Sequence, residues 1–192
     1  MKLVPTKTDN KVIIVGNPGV GKTSIISQLN SFTFSDKTPS TIAASYVAHT
    51  IDTGKGEVTL NIWDTAGQER YRSLIPMYSR STSAAIIVTE LTSQDSFESL
   101  DEWHRMLKSN CPQSCLIYVI ANKKDLNHVV PVSHFSNWAE THQYPFFTTS
   151  ALDRLSIIPV FMRIAQDLQA HQVAEEDKIA TPKNREVHSE CC

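Results

Sequence analysis

An α/β domain with a mainly parallel sheet, covered by helices on both faces, is the fold class this sequence predicts. Two observations carry it. Short apolar runs at residues 11–16, 84–89 and 115–121 are almost continuously hydrophobic, as strands buried on both faces are. Stretches of helical period lie between them. The right-handed crossover rule then puts the C-terminal ends of these strands, where ligands bind, along one edge.

Taken in order, KVIIVG at 11–16 is a β-branched strand stopped by glycine, and residues 21–30 (GKTSIISQLN) follow as a helix. VTLNIWD at 58–64 alternates and ends in aspartate. Residues 46–52 are its partner, joined through Thr53-Gly54-Lys55-Gly56 as a hairpin. AAIIVT at 84–89 is the next central strand. Residues 96–108 form an amphipathic helix, with Phe97, Leu100, Trp103 and Leu107 on one stripe. CLIYVIA at 115–121 is a further central strand. Helices at 132–142 and 157–170 flank a short strand at 146–149. From residue 171 the pattern dissolves and reads as a disordered tail. The expected organisation is therefore an extension at 1–10, one domain at 11–170, and a flexible tail at 171–192.

The composition excludes several classes. At 192 residues, with 41% hydrophobic residues and a net charge of -2, the chain suits one soluble domain and no nucleic-acid partner. MKLVPTKTDN has no apolar stretch of a secretory signal, and no run reaches the length of a membrane span. Cys111 and Cys115 form a C-x3-C pair without a second ligand pair, which is weak support for zinc and reads as two buried or idle thiols.

Four segments carry the chemistry. Residues 16–23 (GNPGVGKT) fit G-x-x-x-x-G-K-[ST] between a strand and a helix, the context in which this loop cradles phosphates. Gly16, Gly19 and Gly21 let the backbone turn its N–H groups inward, and the following helix adds its positive end. Lys22 is expected to reach the β- and γ-phosphates, and the Thr23 hydroxyl to ligate Mg²⁺. Asp64, at a strand tip, is placed to hold the metal through water. Asn122-Lys123-Lys124-Asp125 follows a central strand. The Asp125 carboxylate can accept from guanine N1–H and the N2 amine, a pair of donors adenine lacks. Asn122 is expected to tie loops together and the Lys123 stem to lie along the base. In Thr149-Ser150-Ala151, the Ala151 N–H can point at guanine O6.

In this order GNPGVGKT, the Thr41 of STIAASY, WDTAGQE, NKKD and TSA resemble the motifs of the Ras superfamily of small GTPases, over about residues 10–170. The segment IWDTAGQERYRSLIPMYSR and the Cys191-Cys192 pair are similar to the Rab branch. The resemblance implies a P-loop small GTPase fold: a six-stranded, mostly parallel sheet, its second strand antiparallel, with five helices. It implies GTP/GDP as bound nucleotide and Mg²⁺ as cofactor. Nucleotide contacts would come from Gly19, Val20, Gly21, Lys22, Thr23, Ser24, Phe34, Thr41, Gly67, Asn122, Lys123, Asp125, Ser150, Ala151 and Leu152. Thr23, Thr41 and Asp64 would serve the metal. Gln68 would orient the attacking water, and Tyr46, Trp63 and Tyr78 would form the aromatic surface that effectors read. With no obvious arginine in cis for the γ-phosphate, hydrolysis is expected to be slow until an activating protein supplies one, an effect of about 10³–10⁵ in rate.

The implied setting is a monomer cycling between the cytosol and the cytoplasmic face of endomembranes. Geranylgeranyl groups on Cys191 and Cys192 would anchor it, and two lipid chains give stable attachment. Its partners would be an exchange factor, an activating protein, effectors, a Rab escort protein and a GDP-dissociation inhibitor. Residues 171–190 hold three basic side chains against five acidic ones, so the tail is no polybasic anchor. TIAASY at 41–46 and SLIPMY at 73–78 look most like the early-endosomal subgroup, while RSLIP at 72–76 also resembles the Golgi-retrograde one. Four residues depart from the family pattern: Ala43 for glycine, Glu90 for aspartate, Leu152 for lysine, and Pro18 in the phosphate loop. Proline fixes φ and removes an N–H, which bears on how Gln68 or a partner's arginine fits. A GTP-holding scaffold with negligible hydrolysis is therefore the alternative, and a metabolic P-loop kinase or ATPase the second, opposed by residues 122–125.

Overall fold

The computed structural model of the chain describes residues 10–31, 41, 44–67 and 73–180, with side chains to residue 174. Six strands form one sheet: β1 (Lys11–Val15), β2 (Ala44–Asp52), β3 (Glu57–Thr65), β4 (Ala84–Glu90), β5 (Leu116–Asn122) and β6 (Phe146–Thr148), in the spatial order β2-β3-β1-β4-β5-β6. Only β2 runs antiparallel, paired along its length with β3 through the turn at 53–56. The other neighbours are parallel. The C-terminal ends of β1, β3, β4, β5 and β6 consequently share one edge, and every predicted binding motif begins there.

The central strands are hydrophobic at consecutive positions because each face meets its own core. Val12 and Ile14 of β1, Ile86 and Val88 of β4 and Tyr118 and Ile120 of β5 pack on one side. Ile13, Val15, Ile87, Val119 and Ala121 pack on the other. The first face is covered by α1 (Lys22–Ser31), through Ile25, Ile26 and Leu29, and by α6 (Arg154–Ala180), through Ile157, Val160, Phe161, Ile164 and Leu168. The second is covered by α2 (Ile75–Tyr78), α4 (Leu100–Asn110) and α5 (Val132–Thr141), which contribute Ile75, Trp103, Leu107 and Phe135. At roughly 2 kcal/mol for each fully buried large side chain, these two layers hold the loops in place.

Two expectations need correction. The single helix predicted over residues 96–108 is split into α3 (Gln94–Glu98) and α4, so six helical segments stand among the described residues where the resemblance implied five. The Ser99 hydroxyl donates to the Ser96 carbonyl at 2.9 Å, a local bond of the kind that competes with a regular helix. Residues 171–180, expected to begin a disordered tail, continue α6 to Ala180. Alanine and glutamate sustain helix without an apolar stripe, and Gln172 Nε2 donates to Asn10 Oδ1 at 2.6 Å, tying this turn to the start of β1. Although α6 has 27 residues, no helix among the described residues is long and apolar enough to cross a membrane.

Candidate functional site

The loop between β1 and α1 is built on positive φ angles at Gly16, Gly19 and Gly21, of 144°, 80° and 96°. At two of these a side chain is also sterically excluded. A Cβ on Gly16 would overlap the Val88 carbonyl, and one on Gly21 would overlap the Asn122 amide. Lys22, at 6% exposure, folds over this loop and donates to the carbonyls of Gly16 and Asn17 at 2.8 and 2.9 Å. Burial lowers its pKa to about 8, with the negative charge of Asp64 opposing the shift. Gly67 lies directly against the loop, where a Cβ would overlap Gly16, Asn17 and the Lys22 ammonium.

Three oxygens converge beside it. Thr23 Oγ1 donates to Asp64 Oδ2 at 2.6 Å, the Thr23 and Thr41 hydroxyls lie 2.9 Å apart, and Thr41 Oγ1 reaches Asp64 Oδ2 at 3.4 Å. Asp64 is 1% exposed, and its second oxygen, Oδ1, is buried with no hydrogen-bond partner. Burial raises its pKa. Hydrogen bonds from Thr23, the Lys22 charge and the Thr41 bond each pull the other way. A buried carboxylate oxygen without a partner is expensive. An all-oxygen set with one open acceptor fits a hard, hydrated cation such as Mg²⁺.

At the ends of β5 and β6, Asn122 links three loops. Its Nδ2 donates to the Val20 carbonyl at 2.8 Å, and its Oδ1 accepts from Thr149 Oγ1 at 2.9 Å. Lys124 N–H donates to the Thr149 carbonyl at 3.0 Å, so residues 122–125 and 149–151 are stitched backbone to backbone. Lys123 has φ 63° and pairs with Glu90, which also accepts from Thr92 Oγ1 at 2.9 Å. Lys124 pairs with Asp153 at 2.8 Å. Asp125 and Leu152 are exposed, and Ala151 is buried. Ser150 Oγ accepts from Leu152 N–H at 3.1 Å, holding the last turn.

The structure thus brings Gly19, Val20, Gly21, Lys22, Thr23, Ser24, Thr41, Asp64, Gly67, Asn122, Lys123, Asp125, Ser150, Ala151 and Leu152 to one edge of the sheet. Phe34, Gln68, Cys191 and Cys192, and the departure at Ala43, lie outside the described residues. Tyr46, Trp63 and Tyr78 form a continuous ring cluster. The Tyr46 and Trp63 centroids are 5.7 Å apart edge to face, and Trp63 and Tyr78 5.7 Å apart. Tyr46 faces Trp63 across the β2–β3 ladder, and the Lys11 ammonium lies 5.1 Å from the Trp63 ring centre.

Two supporting residues were not foreseen. Trp103, predicted only as a core residue of its helix, donates its indole N–H to Asn17 Oδ1 at 2.8 Å and so fixes the phosphate loop from α4. Glu90, seen only as a departure, is the counter-charge of Lys123. Neither pairing has a signal in local spacing: the Trp103 partner is 86 residues away in sequence.

Residues 11–170 match the model of the Ras family. The chain is 38% identical to a Ras-related protein Rab-5B of Plasmodium falciparum over 159 residues, covering 82% of this chain and 77% of that protein. It is 35% identical to human Ras-related protein Rab-31 over 188 residues, covering 95% and 96%. It is 34% identical to Dictyostelium discoideum Ras-related protein Rab-11A over 156 residues, covering 80% and 73%.

Proposed function

The chain belongs to the Ras family as a Rab-type small GTPase, and on that premise we propose that it is a Mg²⁺-dependent GTP switch of endosomal vesicle transport, slow to hydrolyse GTP on its own. The observation that carries the reading is the convergence of Thr23, Thr41 and Asp64 on a partnerless buried carboxylate oxygen, beside a loop capped by Lys22. Thr23 and Thr41 would ligate the cation and Asp64 would hold its water. When bound, Mg²⁺ supplies positive charge to the β- and γ-phosphate oxygens.

Lys22, now satisfied by its own loop, would turn its ammonium to the phosphates. The backbone N–H groups of 19–23 would cradle them, and Gln68 would orient the attacking water. Asp125 and the Ala151 N–H would read the guanine edge, with Asn122 holding their loops in register. Thr41 and Gly67 stand beside the ends of β2 and β3, where the γ-phosphate would hold them. Trp63 directly precedes Asp64 on β3, so a change in the metal site is one residue from the ring cluster. Loss of the γ-phosphate would release that edge, which is the order–disorder device of such switches.

The endosomal assignment rests on the likeness of residues 41–46 and 73–78 to the early-endosomal subgroup, with the Golgi as the second compartment. Anchoring falls to geranylgeranyl groups on Cys191 and Cys192, with escort and extraction by carrier proteins. A scaffold that holds GTP without turnover is favoured by one observation, Pro18 at the exposed crest of the phosphate loop. Single-turnover hydrolysis of bound GTP, with and without an activating protein, separates the two readings. Slow release of phosphate that needs Mg²⁺ and is lost in Gln68→Leu is expected, whereas no release under either condition leaves the scaffold. Competition by ATP equal to that by GTP would overturn the guanine assignment.

A further inference from the structure

The last four carbonyls of a helix have no partner within it. Two of those at the end of α1, on Gln28 and Leu29, accept from a single guanidinium nitrogen, Nη1 of Arg154, at 3.0 and 2.9 Å. Arg154 opens α6 and is half-buried. A cation bonded to carbonyls at the negative end of a helix makes a charge-assisted, directional contact. The apolar layer that α1 and α6 share, with Ile25, Leu29, Ile157 and Phe161, supplies buried area, but hydrophobic attraction has no direction. The two bonds from Arg154 have one. The end of α1 is also met from β2, where His49 Nδ1 and Asn30 Oδ1 lie 3.2 Å apart, but that contact is exposed and water can replace it.

Arg154 is equally fixed to the turn before it. Ser150 N–H donates to Ser156 Oγ at 3.0 Å, and Ser156 Oγ donates to the Asp153 carbonyl at 2.6 Å. Asp153 N–H donates back to the Ser150 carbonyl at 2.9 Å. These bonds close residues 150–156 on themselves, so the Arg154 backbone moves with the turn that carries Ala151. The Lys124–Asp153 pair at 2.8 Å joins that turn to residues 122–125. At the other end of α1, about 15 Å along its axis, stand Lys22 and Thr23, with Thr23 Oγ1 bonded to Asp64 at 2.6 Å.

We propose that Arg154 is a positioning residue for the nucleotide: through the Gln28 and Leu29 carbonyls it sets the spacing between the turn that would read the base and the α1 residues that would hold the phosphates and the metal. The inference rests on the guanine-nucleotide reading above. A nucleotide is gripped at both ends only if that spacing is kept before it binds, and spacing fixed in advance spares the cost of ordering the two ends on binding. Arg154 touches neither end itself; it acts through α1.

The test uses the full chain loaded with GDP and Mg²⁺. In Arg154→Gln, which removes the cation, release of a fluorescent GDP should be about tenfold faster than in the parent. The phosphorus resonances of bound GDP should shift as well, although the substitution lies at the far end of α1, and circular dichroism should match the parent. Arg154→Lys, which returns a cation to the same carbonyls, should bring release back to within about threefold of the parent. Arg163→Gln, which removes another α6 guanidinium, one paired with Asp167, should release GDP as the parent does. A lower melting temperature in Arg154→Gln with release and phosphorus resonances unchanged would make Arg154 a plain helix cap and overturn the proposal. Fast release that Arg154→Lys leaves uncorrected, or that Arg163→Gln reproduces, would overturn it too. A parent chain that holds no GDP would overturn the guanine reading along with it, whereas a parent that holds GDP beside an Arg154→Gln that holds it as long would overturn the role of Arg154 alone.

Discussion

The phosphate end and the ring-bearing face of β2 and β3 lie side by side but are held by opposite means. At the phosphate end the side chains are tied to backbone and to one another, Lys22 to the loop carbonyls, Asn122 to Val20 and Thr149, Asn17 to Trp103, and the buried Asp64 Oδ1 alone among these groups is left without a partner. On the β2 edge, side chains are largely exposed, Tyr46 at 54%, and hold one another by ring contacts and surface hydrogen bonds. In a low-dielectric interior an unmade polar contact costs the full desolvation of its partner, whereas at the surface water replaces it. The phosphate end is thus held by buried bonds that are costly to break, and the ring face by contacts that water can replace.

The largest effect expected from this contrast comes from Gly16→Ala. The added methyl group meets the Val88 backbone oxygen at φ 144°, where neither strand can yield. Destabilisation of about 3 kcal/mol or more is expected, with GDP binding lost, read by thermal unfolding and nucleotide content on purification. Next is Asn122→Ala, which leaves the Val20 carbonyl and the Thr149 hydroxyl without their partner. A loss of about 3 kcal/mol is expected, together with rapid GDP release. A variant that keeps GDP as the parent does would mean that the two loops are held elsewhere.

Much of this arrangement was legible in the sequence, and the boundary of legibility has a physical cause. The doubly buried strands announced themselves because β1, β4 and β5 must be apolar at consecutive positions. The loop at 16–23 and residues 122–125 were legible as motifs because each has particular residues at fixed offsets after a strand, and the structure joins them through Asn122 on the Val20 carbonyl. Thr41 and Asp64 are single residues, and only their order among the motifs brought them in. Trp103 on Asn17 and Glu90 on Lys123 were not legible, since the partners meet only when strands and helices pack. The extension of α6 to Ala180 was misread because helix needs propensity, and the sequence lacks there only the apolar stripe.

Between the two regions stands the Glu90–Lys123 pair, neither fully buried nor fully free, at 13% and 30% side-chain exposure. Lys123 is held at a positive φ that a residue with a Cβ adopts at a cost of about 1–2 kcal/mol. Removing the counter-charge without changing shape, in Glu90→Gln, should loosen that turn and speed GDP release by about tenfold, with the fold intact by circular dichroism. Stopped-flow displacement of a fluorescent GDP reads it. An unchanged rate would assign the turn to the backbone bond between Lys124 and Thr149 alone.

The smallest effects belong to the ring face, and their smallness is the point. Tyr46→Phe removes an exposed hydrogen bond of 2.7 Å to Asn61 Oδ1, which water can replace, so a stability loss of about 0.5 kcal/mol or less is expected. Trp63→Ala removes the ring that bridges Tyr46 and Tyr78, and with it the shape a partner would read. Because Trp63 points away from its neighbour Asp64, as alternate residues of a strand do, GDP retention should stay near that of the parent while capture of effectors by the GTP-loaded protein is lost. GDP release in Trp63→Ala as fast as in Asn122→Ala would erase the contrast between the two regions and make the ring cluster part of the nucleotide site itself.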